Sequence, residues 1–64
     1  MNIYLSEKLK ELRSQKNISQ EKLAQYLNVS FQAVSKWENG NSYPDITLLP
    51  DIARFFDITV DELY

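Results

Sequence analysis

The chain of 64 residues has no cysteine, no histidine, one glycine and two prolines. Without cysteine there is no disulfide framework, and without histidine as well the usual zinc finger is excluded. A single glycine cannot build a glycine-rich phosphate loop, and no paired-carboxylate motif marks a cleft, so neither an enzyme nor a cofactor is expected. No apolar run approaches the ~18 residues of a membrane span. The start, Met1-Asn2-Ile3-Tyr4-Leu5-Ser6, lacks the basic residues and long apolar segment of a secretory signal, and a cytoplasmic protein is expected. At this length only about 60% of the unfolded surface can be buried, which fits one compact domain over residues 1–64 with a stability of about 3–5 kcal/mol.

What is present is concentrated between Ser19 and Gly40, in SQEKLAQYLNVSFQAVSKWENG. Leu23, Ala24 and Leu27 give a short helix, Gln20 to Leu27, its apolar side and Ser19 as its N-cap. Asn28 tolerates the left-handed conformation that ends helices, and two residues later Ser30 can cap a second helix beginning at Phe31. Asn39-Gly40 ends it, since glycine takes a positive φ at no steric cost. Two helices joined by a three-residue turn result.

On a helical wheel residues 31–39 place Ala33, Val34 and Trp37 in one arc. Gln32, Ser35, Lys36 and Asn39 fill the opposite arc, with Phe31 and Glu38 on the border. So short a helix is not stable alone in water, so its apolar arc must be packed and its polar arc offered outward. Amides, hydroxyls and a lysine are the groups that can read base edges in a DNA major groove, which admits a helix. A merely solvated face has the same composition, and the wheel alone does not separate the two.

The rest of the chain reads as three further helices. Leu5, Leu9 and Leu12 recur at i, i+4 and i+7, predicting a helix from about Ile3 to Lys16 that stops at Asn17. Pro50 fits only the first turn of a helix, which places one from Leu48 to about Phe56 with Thr47 as N-cap. Thr59-Val60-Asp61-Glu62 matches a capping box and announces a fifth helix of which about one turn is present. Trp37, Tyr43 and Pro44 read as packing residues that close a small core.

Several separately spaced segments occur in a telling order: Leu12-Arg13, Ile18-Ser19-Gln20-Glu21-Lys22-Leu23-Ala24, Val29-Ser30, Val34-Ser35-Lys36-Trp37-Glu38-Asn39-Gly40 and Asp57-Ile58-Thr59-Val60-Asp61-Glu62-Leu63. Together they resemble the Cro and phage-repressor type helix-turn-helix family, also called the xenobiotic-response-element type, over nearly the whole chain. Asn28 departs from the glycine common there, a mild change because both residues suit the same backbone.

The resemblance implies an all-α, compact five-helix, lambda-repressor-like DNA-binding domain with its last helix truncated and its helix-turn-helix unit at about 19–40. It implies a transcription regulator, a repressor, that binds double-stranded operator DNA in a sequence-specific manner with helix 31–39 in the major groove. Gln32 then pairs with adenine and Lys36 donates to guanine, with Ser35 beside them. Phe31 touches a thymine methyl or packs on Tyr26 or the turn. By the same resemblance Gln20 meets a phosphate and the loop Asn41, Ser42, Tyr43 passes along the DNA backbone, with Ser30 and Asn39 completing the phosphate contacts. Arg13 and Glu38 match a structural ion pair that fixes the second helix of the unit against the first helix of the domain. Such proteins pair on two half-sites about one DNA turn apart. With the last helix so short, a monomer is expected that dimerises weakly, on DNA, through Ile58, Val60, Leu63 and Tyr64.

The net charge of −2 runs against a polyanion partner, but its distribution does not. Residues 1–40 carry six basic and four acidic side chains, and residues 41–64 one basic and five acidic. The acidic share lies outside the reading unit, and with few cations a single copy should bind weakly. A protein-interaction module of the same fold is the rival reading; its mark is an acidic or apolar outer face on residues 31–39, which this chain lacks.

Overall fold

The leucines spaced four and three apart near the N-terminus lie on one helix, α1, Tyr4–Lys16, in a computed structural model that describes residues 4–63. The expected first residue, Ile3, lies outside the described residues. Next come α2, Gln20–Leu27, and α3, Phe31–Glu38. A 3-10 turn, Ile46–Leu48, leads into α4, Leu49–Phe56, and a second 3-10 turn covers Val60–Leu63.

All four α-helices stop in the same way. Asn17, Asn28, Gly40 and Asp57 sit at φ of 56, 59, 77 and 59°. Each donates its N–H three residues back and the following residue donates five back, as in Asn28 to Gln25 O at 3.2 Å and Val29 to Ala24 O at 3.0 Å. This double closure satisfies carbonyls that a helix end leaves open. In three cases the next residue is branched and apolar, and Ile18, Val29 and Ile58 all pack half-buried on the core. The residue after that is a hydroxyl cap. Ser19 Oγ accepts from Lys22 N at 3.0 Å, Ser30 Oγ from Ala33 N at 3.1 Å and Thr59 Oγ1 from Glu62 N at 3.3 Å. Asn17-Ile18-Ser19, Asn28-Val29-Ser30 and Asp57-Ile58-Thr59 are thus one three-residue connector used three times: a stop, a clamp and a start.

The core joins Leu5, Leu9 and Leu12 of α1 to Leu23, Ala24 and Leu27 of α2, Val34 and Trp37 of α3, Leu49, Ile52, Ala53 and Phe56 of α4, and Leu63. α3 lies against both α1 and α2, while α4 packs on α2 and the last turn on α1 and α4. Tyr26 and Phe55 rings, 4.5 Å apart and tilted by 41°, tie α2 to α4, and Phe55 meets Phe56 edge-on at 5.1 Å.

Four expectations need correction. The described residues hold four α-helices, not five: the Thr59 capping box forms, with Glu62 reaching back to Thr59 N at 2.8 Å, but the four residues that follow wind as a 3-10 turn. A 3-10 turn closes with fewer residues per bond, which favours it in short pieces. Thr47 does not cap α4. Asp45 Oδ1 accepts from both the backbone N–H and the hydroxyl of Thr47, each at 2.9 Å, so the chain winds early and α4 starts at Leu49 with Pro50 second. Tyr43 is 43% exposed, whereas Trp37 and Pro44 are buried, so only those two of the three close the core. Leu63 is fully buried and Ile58 and Val60 pack on the core, so these side chains do not form a free pairing surface; Tyr64 lies outside the described residues.

Candidate nucleic-acid interface

α3 is eight residues long and owes its position to its inner stripe. Val34 is 0% and Trp37 5% exposed, and Ala33 is half-buried beside them. The opposite side carries Gln32, Lys36 and Asn39, all exposed, with Ser35 half-buried between them. Gln32 and Lys36 are four residues apart and so lie one above the other on the same face. Phe31, the first residue of α3, is 46% exposed; Tyr26, one of its expected partners, is instead stacked on Phe55. Ser30 is exposed and uses its oxygen as the α3 cap, which leaves the hydroxyl proton free to be donated.

α3 closes on Gly40, and the exposed segment Asn41, Ser42, Tyr43 follows before the chain dives at Pro44. A Cβ built at Gly40 would meet no atom within 4 Å, so glycine is required there by φ alone.

The seat of α3 is set by one buried acid. Glu38 is 2% exposed, and Arg13 of α1 grips it with Nε to Oε2 at 2.5 Å and Nη2 to Oε1 at 2.7 Å. Arg13 Nη1 also donates to Ile18 O at 2.8 Å, in the connector from α1 to α2. Gln20, at the start of α2, adds a third donor, Nε2 to Glu38 Oε1 at 3.0 Å. The hydrogen bonds from Glu38 hold the Arg13 guanidinium above its ordinary pKa, outweighing the opposing effect of burial. α1, α2 and α3 therefore meet at a single carboxylate. Sequence reasoning paired Arg13 with Glu38 but missed Gln20 as their partner.

The helix-turn-helix family model matches residues 9–63, which takes in all four helices, both connectors of the unit and the last turn. The chain belongs to this family, in its Cro-type branch. Among similar proteins, the HTH-type transcriptional activator BcrR of Enterococcus faecalis is 52% identical over 58 residues, 91% of this chain and 28% of that protein. An uncharacterized HTH-type transcriptional regulator of Methanocaldococcus jannaschii is 35% identical over 60 residues, 94% of this chain and 91% of its own length. A prophage-derived uncharacterized HTH-type transcriptional regulator of Bacillus subtilis is 32% identical over 57 residues, 89% of this chain and 53% of that protein. The chain thus spans little more than a quarter of the Enterococcus relative and about half of the Bacillus one. No solved structure matches the chain.

In this helix-turn-helix domain the turn is Asn28-Val29-Ser30, and DNA-binding regulation of transcription is the function class that the family carries. Among the described residues no group of three or more His, Cys, Asp or Glu could hold a metal ion, and no helix is long and apolar enough to cross a membrane.

Proposed function

We propose that this domain binds double-stranded DNA in a sequence-specific manner, with α3 lying in the major groove. The observation that carries the proposal is the division of α3 itself: Val34 and Trp37 sealed inside, Gln32 and Lys36 exposed one turn apart on the outside. An amide can pair bidentately with adenine and a lysine can donate to guanine, so the two reach neighbouring base pairs, with Ser35 between them and Phe31 against a thymine methyl. Gln20, Ser30, Asn39, Asn41, Ser42 and Tyr43 supply neutral donors to phosphates, which set register and orientation. Ser30 fits that role while capping α3, since its oxygen accepts and its proton donates.

The occupant of the groove pairs with a second copy only on DNA, where two half-sites bring the domains together. Repression is the proposed sign of regulation, because a domain seated on a promoter blocks it by occupancy. The relative named an activator matches over 28% of its length only. Selection of bound duplexes from a random pool is the test: one enriched motif supports the reading, and no enrichment at any salt concentration removes it in favour of a protein-interaction module. A reporter behind the enriched motif then fixes the sign; falling expression supports repression and rising expression replaces it with activation.

A further inference from the structure

Gln20 stands at the junction of the two parts of the interface. It is the first residue of α2, directly after the Ser19 cap, and it is half-buried. Its amide has two N–H groups and one oxygen. One N–H is given to the buried Glu38 at 3.0 Å. The other N–H and the oxygen have no partner among the described residues, and neither is a buried unsatisfied group, so both are open to solvent. A carboxylate only accepts, so the amide cannot flip: its nitrogen must face Glu38. The second N–H therefore leaves the same nitrogen in a fixed direction, beside the free backbone donors of the α2 N-terminus.

We propose that Gln20 is a positioning residue that couples phosphate binding to the seating of α3. Its second N–H is donated to a DNA phosphate while its first holds Glu38, which is in turn held by Arg13. The DNA backbone and the base-reading helix thereby share one amide. The side-chain freedom of Gln20 is given up on folding rather than on binding, so the phosphate donor is already aimed when DNA arrives. This deepens the DNA-binding reading and rests on it. It differs from a simple phosphate contact in one respect: losing the amide releases one of the three donors that seat α3, and so degrades base discrimination as well as affinity.

The test compares wild type with Gln20→Met, which keeps the length and loses the hydrogen bonds, on a selected duplex, a scrambled duplex and the selected duplex carrying single neutral methylphosphonates. Wild type is expected to lose several-fold affinity at one methylphosphonate position, and Gln20→Met to lose nothing further there. The selected-to-scrambled affinity ratio of Gln20→Met is expected to fall at least threefold below that of wild type. Equal loss on both duplexes overturns the coupling and leaves a phosphate contact only. No loss on either overturns both. If wild type itself prefers no duplex, the DNA-binding reading has failed and the coupling with it.

A measurement on wild type alone guards against a variant that folds poorly. In the nuclear magnetic resonance spectrum of the free protein, one Gln20 side-chain N–H should be protected from exchange, and DNA should shift the other. Two equivalent, unprotected protons overturn the proposal.

Discussion

An acid that is 2% exposed is tolerated at position 38 because three N–H donors converge on it. Removing one partner of such a pair strands the other without solvent, whereas removing both leaves only lost packing. Arg13→Met and Glu38→Gln should each cost about 2–3 kcal/mol, below the range for full burial because Arg13 keeps 19% of its side chain exposed. The double variant should be less destabilised than the sum, as read by urea unfolding; strictly additive losses would show two independent charges. The pair was legible in the sequence through family resemblance. Gln20 was not, because a glutamine and a glutamate 18 residues apart carry no periodic signal and both read as surface residues. Tyr43 misled for a related reason: beside a buried proline it has the composition of a core residue, and only the course of the loop decides its exposure.

At the scale of elements, the helices were legible where side chain and backbone cooperate locally. Ser19, Asn28 and Ser30 mark three of the four boundaries of α2 and α3, and each acts within three residues of itself. The entry to α4 was harder because Asp45 and Thr47 are both good caps, and the outcome depends on Asp45 accepting from Thr47. Those bonds hold the exposed Asp45 carboxyl below its ordinary pKa, with the backbone N–H of Thr47 the larger cause. A lowered folded-state pKa stabilises above the unfolded value and loses that effect as pH falls through the folded one. Wild type should therefore exceed Asp45→Asn in stability above about pH 4, and the gap should close below about pH 3, as followed by thermal melts. A gap independent of pH would show that charge plays no part in the cap. Gly40 offers a second check on the shared helix ends. Gly40→Ala should lower stability by about 1 kcal/mol through conformation alone, since no neighbour opposes a Cβ there. Gly40→Asn should recover part of it, as Asn17 and Asn28 already occupy the same region.

Across the whole molecule, the acidic residues fall mainly on the segment after Gly40, and the proposed contacts hold Lys36 as their one cation. Association should then depend only gently on salt, with a log–log slope on the order of −1 to −2 per domain. A slope steeper than about −4 would place further lysines, such as those of α1, against phosphate. With Leu63 sealed in the core and Ile58 and Val60 packed upon it, sedimentation at micromolar concentration should show a single-chain mass, and a tight dimer would require a surface other than this one. The central claim is that the outer face of α3 reads bases, and Gln32→Ala tests it most directly, because an amide on a base edge carries specificity without charge. Binding of wild type and Gln32→Ala is measured on a selected and a scrambled duplex. The account predicts that the variant loses about 1–3 kcal/mol on the selected duplex and almost nothing on the scrambled one. Equal wild-type affinity for the two duplexes, or an unchanged preference in Gln32→Ala, would contradict it.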